Sequence, residues 1–530
     1  MEAELRETRQ IGKNFPPSLL VAASRGNLRG NVRKAALSQL QLEDPELQDE
    51  VKTLLNQLGK QDSGWSSWTF QKIIKRLNSH SLIEYDHQNH TYSIHPLVHH
   101  WSSTNKDGNR QDMRILILTI IALSFRPTCT DEDFKYRRKL LKHVTNSIAC
   151  LKPEDINPLV GMHIAGIYSE AGRFKEAEAL EVMVMEKRKQ KLGDDHPDTL
   201  KSMEYLANTF VQQGCLSDAE LLGLAALEKR KLVLGDDHPD TLRSMGNLAL
   251  TYLSQGRWSN AEALYLVVLE KRKLVLGDDH LDTLMSMANL ASTYLYQGRW
   301  KEAEALKVVV VEKRKRLLGE DHPDTLATMG TLAHTYRNQG RLDDAEALQL
   351  VVLEKSKGLL GDDHPYTLKV MGHLASTYRD KGQLGDAEAL ELLVLGKRKQ
   401  LLGDDHPDTL RAMSNLAVTY WKEGRWNDAE MLQVVTMEKT KQVLGGDHPQ
   451  TLENMANLAN TYRTQVRLDD AEALSVRVIE KMKWVEGDDH PDTLKSMSGL
   501  AATYRDLGRL DDAETLEAVV EEIRKRRDDS

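Results

Sequence analysis

The stretch that decides the fold is GDDHPDTLRSMGNLALTYLSQGRWSNAEALYLVVLEKRKLVLG, residues 235–277. Its first eight residues, GDDHPDTL, recur in the same or a closely related form along most of the chain. The interval is 42 residues each time, with the histidine at His196, His238, His280, His322, His364, His406, His448 and His490. A constant period of this length indicates stacked supersecondary units. A degenerate copy lies upstream, between Pro158 and Leu192, so the sequence predicts about nine units.

Each unit contains two helical stripes of apolar residues. In the quoted unit they are Leu242, Met245, Leu248, Ala249 and Tyr252, followed by Trp258, Ala261, Leu264 and Val268. Gly256 separates the two stripes and Gly277 ends the second. The Asp-Asp-His triplet supplies acidic and capping residues to the next helix, and the proline after seven of the eight histidines suits a first helical turn. Each unit is therefore predicted to be helix, turn, helix, turn.

The composition is that of a folded, water-soluble protein. Of 530 residues, 40% are hydrophobic and 28% charged, and the net charge of -9 argues against general attraction to nucleic acid or anionic membranes. The longest apolar run, residues 115–125, is too short to span a bilayer. Three cysteines without a CxxC pair indicate no disulfide framework. We therefore expect a cytoplasmic protein with neither nucleic acid nor membrane as a partner.

Small and aromatic residues recur in one register. Ala249, Tyr252 and Ala261 have counterparts in every copy, with Phe210 replacing the tyrosine once. This pattern resembles the tetratricopeptide repeat in the long, 42-residue form of kinesin light chains. The resemblance implies an all-α, right-handed superhelical solenoid with a concave groove lined mainly by first helices. Val466 occupies the place of a turn glycine, which predicts a locally altered turn.

The first 150 residues have no repeat and carry a net charge of +5. Residues 68–77 read as a helix, residues 82–85 and 91–94 as a β-hairpin, and residues 96–101 as a helix start. The string resembles the winged helix that closes the nucleotide-binding module of STAND (NB-ARC-type) NTPases, as in fungal NLR-like proteins. We accordingly predict a winged-helix-like domain over residues 1–110, a helical connector over 111–154 and the solenoid over 155–530.

The resemblance to STAND proteins carries one residue over. In that family a Met-His-Asp element follows the wing and its histidine contacts ADP; His95 occupies the matching place, although Pro96 replaces the aspartate. The chain has no GxxxxGK[ST] phosphate loop and no GxSxG element. We expect no cofactor and no enzymatic activity.

Two other groups of residues have a possible chemical reading. Each Asp-Asp-His triplet contains metal-ligand types, but the triplets fall at separate helix junctions, where capping and turn chemistry explain them. The histidines of the predicted winged helix match no zinc-site spacing. Lys72, Lys75 and Arg76 on its helix are a solvated charged face in one interpretation and a DNA contact in the other. We expect no metal.

The predicted groove carries the candidate binding residues. Asparagine precedes the Leu-Ala pair at Asn247, Asn289, Asn415 and Asn457. In the resembled family, asparagines at this place bind the backbone of an extended peptide. The residue after the recurrent tyrosine is Arg337, Arg379, Arg463 or Arg505, or Trp421, and more cations lie near the starts of first helices, at Lys201, Arg243, Lys369, Arg411 and Lys495. One interpretation is a groove for acidic or tryptophan-acidic peptides; the other is a solvated charged face.

These observations favour a protein–protein interaction scaffold that binds proteins or linear peptides, acidic ones among them. The resemblance to STAND proteins implies the sensor or interaction part of a signalling protein of that class. The alternative is a kinesin-light-chain-type cargo adaptor. Residues 1–60 show no sustained heptad pattern and contain Pro16, Pro17 and Pro45, which disfavours the adaptor.

Overall fold

The computed structural model describes residues 83–86 and 91–94, parts of 141–152, and residues 155–528 without a gap. The predicted helices at 68–77 and 96–101, most of the predicted connector and His95 lie outside the described residues. Strands β1 (Ile83–Asp86) and β2 (Thr91–Ile94) pair antiparallel, with Ile83 opposite Ile94 and Asp86 opposite Thr91. This hairpin lies where the sequence predicts one, with the first strand one residue further along the chain.

Eighteen helices, arranged as nine consecutive pairs, account for the described chain from residue 158 onward. The first helices of the pairs are α1 (Pro158–Glu170), α3 (Pro197–Gln213), α5 (Pro239–Ser254), α7 (Leu281–Tyr296), α9 (Pro323–Asn338), α11 (Pro365–Asp380), α13 (Pro407–Lys422), α15 (Pro449–Thr464) and α17 (Pro491–Asp506). The second helices are α2 (Phe174–Leu192), α4 (Leu216–Leu234), α6 (Trp258–Leu276), α8 (Trp300–Leu318), α10 (Leu342–Leu360), α12 (Leu384–Leu402), α14 (Trp426–Val443), α16 (Leu468–Val485) and α18 (Leu510–Asp528). The predicted helix–turn–helix unit is confirmed.

The recurrent histidine caps the first helix of each pair from α3 onward. Its Nδ1 accepts the backbone N–H of the second residue after it, at 3.1 Å for His238 and Asp240 and at similar distances in the other seven copies. This bond satisfies one of the donors that a helix N-terminus leaves unpaired. The triplet is thus explained by its histidine, while its aspartates serve another purpose, described in the Discussion.

A left-handed residue makes the turn inside each pair. It is glycine in eight of the nine pairs, for example Gly340 with φ of 77°. Val466 takes the same conformation with φ of 63°. Its N–H donates to Arg463 O at 3.0 Å and the next N–H donates to Tyr462 O at 2.9 Å, the same bonds as at Gly340. The expectation of an altered turn is wrong: the backbone is kept and the valine is strained into it.

Each helix packs on its neighbours in the chain, and the core is correspondingly continuous. The leucine four residues after each histidine, from Leu200 to Leu494, is almost completely buried. The alanines of both helices, such as Ala249 and Ala261, are fully buried, which lets the two helices approach closely. This packing is that of a repeat solenoid, in which neighbours bury one another's apolar faces.

Repeats far apart in sequence also touch. His406 Nε2 lies 3.1 Å from Glu170 O, and His448 Nε2 lies 3.2 Å from Gln212 O, each across 236 residues. At Gly214 a Cβ atom would lie 2.5 Å from Pro449 Cδ, so only glycine fits there without rearrangement. The solenoid therefore returns onto itself after between five and six repeats. No helix in the described part of the chain has the length and apolar character needed to cross a membrane.

Candidate functional site

The four predicted asparagines occupy one register position on first helices. They lie in the middle of α5, α7, α13 and α15, each directly before a buried leucine, and each is half-buried: Asn247, Asn289, Asn415 and Asn457. Their backbone carbonyls accept the hydroxyl of the threonine four residues later, at 3.1–3.5 Å. Among the described residues, none of the four side-chain amides has a hydrogen-bond partner. Both the donors and the acceptor of each amide are therefore available to a ligand.

The predicted arginine contacts require a correction, most clearly at Arg379. Its side chain is only 13% exposed and forms an ion pair with the buried Glu391 at 2.9 Å. The same guanidinium donates to Asn415 O at 3.1 Å and to Thr419 Oγ1 at 3.3 Å. Burial raises the pKa of Glu391, because desolvation outweighs the favourable effects of Thr419 and Arg379. Arg379 therefore holds two repeats together and is not a free contact for an acidic partner.

The other side chains after the recurrent aromatic also have partners within the chain. The contacts are Arg337 with Asp380 at 3.5 Å, Arg463 with Asp506 at 3.1 Å, Arg505 with Glu517 at 2.6 Å, and Trp421 Nε1 with Thr464 Oγ1 at 3.1 Å. Each contact reaches a later helix, most of them in the next repeat. These positions thus contribute to the coupling of neighbouring helices.

A basic cavity of about 180 Å³ lies between α11, α12 and α13. Lys369, Arg398 and Arg411 line it together with Asn415, and Glu391 lines its inner side. Arg398 is buried, and burial lowers its pKa to about 10; its Nη1 donates to Asp408 O at 2.8 Å. Lys369 Nζ has no carboxylate oxygen of a described residue within 4.0 Å. Desolvation, and next to it the charge of Arg411, lower the pKa of Lys369.

Two histidines lie beside this cavity. His334 and His373, from consecutive first helices, stack with ring centroids 6.2 Å apart, and His373 lines the cavity. Burial, reinforced by neighbouring cations, lowers the pKa of His334 to about 4 and that of His373 to about 3. Both rings are therefore neutral near pH 7. The positive charge of the cavity comes from its lysine and arginines.

Sequence reasoning found Lys369, Arg411 and Asn415 from their places on first helices but missed Arg398 and Glu391 on the second helix. A signal for Glu391 was present. In otherwise similar repeats, its register position holds a different buried residue in almost every copy: Glu181, Tyr265, Lys307, Gln349, Glu391 and Gln433. Variation at a buried position within a regular array marks where one repeat differs chemically from the next.

Comparison with known proteins identifies the family. The tetratricopeptide repeat model matches nine consecutive segments, from residues 162–198 to residues 493–526. The chain belongs to the tetratricopeptide repeat family. These segments begin within the first helix of a pair and end near the start of the next, so the family repeat and the helix pairs have the same period. A search of the curated proteins finds no match.

Solved structures give three further likenesses of the tetratricopeptide repeats. A kinesin light chain with nearly identical TPR-like repeats from Podosopora anserina is 29% identical, with a TM-score of 0.34, and the match covers 39% of this chain and 97% of that one. BtubC from P. vanneervenii is 19% identical, with a TM-score of 0.37 over 43% of this chain and 92% of that one. A STAND protein with a tetratricopeptide repeat sensor from Pyrococcus horikoshii is 14% identical, with a TM-score of 0.41 over 96% and 69% of the two chains.

Proposed function

We propose that this protein is an interaction scaffold whose first helices bind an extended segment of a partner protein. The observation that carries the proposal is the set of half-buried asparagine amides without partners, one to a repeat at Asn247, Asn289, Asn415 and Asn457. A peptide backbone offers alternating N–H and C=O groups, and a primary amide both donates and accepts. A row of such amides can hold a backbone whatever its side chains are.

The cavity beside Asn415 gives the proposed ligand its character. Lys369 has no ion-pair partner among the described residues, and Arg411 is paired only with the exposed Asp408 in its own first turn. A carboxylate entering between Lys369, Arg398 and Arg411 would form charge-assisted bonds, which are about twice as strong as neutral ones. We therefore propose that the segment carries an aspartate or glutamate at the point that passes this cavity.

The wider context is proposed on the N-terminal sequence. The hairpin of β1 and β2 falls in the segment that resembles the winged helix of STAND proteins, so we place the solenoid as the sensor or interaction part of such a signalling protein. In this proposal the protein acts in the cytoplasm, binds rather than catalyses, and keeps His95 only as a remnant. A cargo adaptor of the kinesin-light-chain type would use the same groove, and an N-terminal fragment that bound a motor chain would favour it.

Selection from a random-peptide display library, panned on the full chain, tests the proposal. We expect the selected peptides to be enriched in Asp and Glu. A fluorescein-labelled selected peptide should then lose at least tenfold in affinity when its acidic residues are changed to Asn and Gln, since each charge-assisted bond contributes about 1.5–3 kcal/mol. The double variant Lys369→Glu/Arg411→Glu should lose binding to a similar extent.

A matched variant separates the cavity from general charge. Lys301→Glu/Arg316→Glu makes the same change in net charge at exposed positions on the second helix α8. We expect it to bind the acidic peptide with less than a threefold loss. Equal losses in the two double variants would show that the cavity is not the binding place. Selected peptides with no acidic enrichment would contradict the ligand class and leave the asparagine row as the tested element, through Asn289→Ala/Asn415→Ala.

A further inference from the structure

One junction between repeats differs from the others at a single buried position. The residue four places before the recurrent histidine is leucine in seven copies: Leu192, Leu234, Leu276, Leu318, Leu360, Leu402 and Leu444. In the eighth copy it is Glu486, between α16 and α17. Glu486 is only 9% exposed, whereas each of the seven leucines is half-buried or exposed. A carboxylate thus replaces a hydrocarbon at the most enclosed of the eight places.

The buried carboxylate has no conventional partner. Glu486 Oε2 is buried and takes part in no hydrogen bond. Among the described residues, no lysine or arginine nitrogen lies within 4.0 Å of its oxygens. Its near neighbour is His490 Nδ1, at 3.2 Å. Because an unpaired buried charge is costly, such a group requires a positive species beside it.

The histidine cannot serve as a simple donor without losing its structural bond. Nδ1 of His490 accepts the N–H of Asp492 at 3.2 Å, as Nδ1 does in the other seven copies. A nitrogen that accepts this bond presents a lone pair, and so does Glu486 Oε2. Two lone pairs facing each other at 3.2 Å are favourable only when a proton or a metal ion lies between them.

A third donor completes the arrangement. Asp492 Oδ2 lies 3.9 Å from the same Nδ1, and ligand atoms of Glu486, His490 and Asp492 all lie within 4.8 Å of one another. Tetrahedral zinc with bonds of about 2.0–2.1 Å to nitrogen and oxygen places its ligands about 3.3 Å apart. Two of the separations are near this value, and the side chain of Asp492, which is 58% exposed, is free to close the third.

We propose that Glu486, His490 and Asp492 form a binding site for a divalent cation of the Zn²⁺ type, which ties the end of α16 to the first turn of α17. Imidazole nitrogen with two carboxylates favours Zn²⁺ over Mg²⁺ or Ca²⁺, which prefer ligand sets made of oxygen alone. Water fills the fourth position. The ion anchors the last helix pair, next to the place where the His490 ring packs against Gly256.

Zinc binding by the metal-stripped full chain, followed by calorimetry, tests this site. The informative variant is Glu486→Leu, because leucine is the residue of the other seven junctions and should fold there without difficulty. We expect wild type to bind one more Zn²⁺ per chain than Glu486→Leu. Histidines elsewhere in the chain contribute equally to the two proteins and cancel in this comparison. Equal zinc stoichiometry would overturn the site and assign the Glu486–His490 pair to a shared proton.

A second variant tests the third ligand. Asp492→Gln copies the preceding junction, where Gln450 stands in the same place. It should weaken the extra zinc by at least tenfold while the circular dichroism spectrum stays the same. Hydrogen exchange should slow over residues 484–495 when Zn²⁺ is added to wild type, and should not respond in Glu486→Leu. Mg²⁺ that competed with Zn²⁺ on equal terms would also overturn the proposal, because imidazole selects against Mg²⁺.

Discussion

The turns between helices and the inward position of the second helices follow opposite rules in this solenoid. At the turns, each recurrent residue forms the same contact in nearly every repeat. At the inward position, the residue changes from one repeat to the next: Glu181, Tyr265, Lys307, Gln349, Glu391 and Gln433. The turns make the repeats stack identically, whereas the inward position makes them chemically distinct.

Ion pairs between consecutive repeats show how regular the turns are. The lysine in the last part of a second helix pairs with the second aspartate of the previous GDDH string, as in Lys271 with Asp237 at 2.7 Å and Lys313 with Asp279 at 2.8 Å. The arginine after the turn glycine stacks on its own tyrosine and pairs with a glutamate of the previous repeat, as in Arg299 with Glu262 at 2.8 Å. Each exposed pair contributes little, so their effect depends on repetition.

The inward position places polar groups where the chain could have used hydrocarbon. The Nζ of Lys307 donates to Thr331 O at 3.2 Å and to Thr335 Oγ1 at 3.0 Å, and burial lowers the pKa of Lys307 to about 8. In the next repeat the equivalent Gln349 accepts from Thr377 at 2.8 Å. The threonine partner is constant while the residue facing it varies. Stability therefore cannot be the reason for each choice, since buried polar groups are costly.

The largest effect is expected where the regular part is overfilled. Ala333 on α9 is fully buried at a position that is alanine in every copy from α3 onward. Ala333→Trp adds an indole to a site packed at crystal-like density and should lower the free energy of unfolding by more than about 3 kcal/mol. Hydrogen exchange should rise over α9 and α10. Ala263→Trp, at an exposed position on α6, is the control and should change stability by less than about 0.5 kcal/mol.

The next prediction concerns pH and the inward position. Desolvation raises the pKa of Glu181 to about 7, against 4.5 for the unfolded chain. The folded state then binds more protons between these values, so the free energy of unfolding should fall as pH rises from about 4.5 to 7. Glu181→Gln removes this penalty and, near pH 8, should stabilise the protein by about 2–3 kcal/mol. Urea unfolding at pH 5 and pH 8 measures the difference.

Glutamine is the suitable replacement because the chain itself uses it at Gln349 and Gln433. The control is Glu186→Gln, which removes the same charge from an exposed place on α2. This control should leave the pH dependence as in wild type. If Glu181→Gln and wild type showed the same difference between pH 5 and pH 8, the inward position would not be the source of the penalty.

Sequence reasoning reached the regular part of the molecule further than the variable part. Period, stripes and turn glycines predict the nine helix pairs, because each of these signals is repeated and depends only on local geometry. The four asparagines were identified from their register. The role of Arg379 was missed, because its partner Glu391 lies 12 residues away on another helix and burial alone decides that they pair. Glu486 was missed for a different reason: attention went to what the repeats share.

The smallest predicted effect tests a regular turn that has lost its glycine. Val466 keeps the left-handed conformation and the turn's hydrogen bonds, at a strain cost of about 1–3 kcal/mol for a non-glycine residue. Val466→Gly removes this strain, but glycine gives the unfolded chain more freedom, which offsets about 0.5–1 kcal/mol. We therefore expect a net stabilisation of about 1 kcal/mol, measured by urea unfolding and by slower hydrogen exchange over residues 464–468.

The reverse substitution supplies the matched control for this turn. Gly340→Val is suitable because a Cβ atom there would meet nothing within 4 Å, so the change adds backbone strain and no collision. Gly214 would be unsuitable, since a Cβ atom would meet Pro449 at 2.5 Å and mix two effects. Gly340→Val should destabilise by about the amount that Val466→Gly stabilises. If both variants matched wild type, left-handed backbone would cost a valine nothing in this turn, and the recurrence of glycine there would require a reason other than strain.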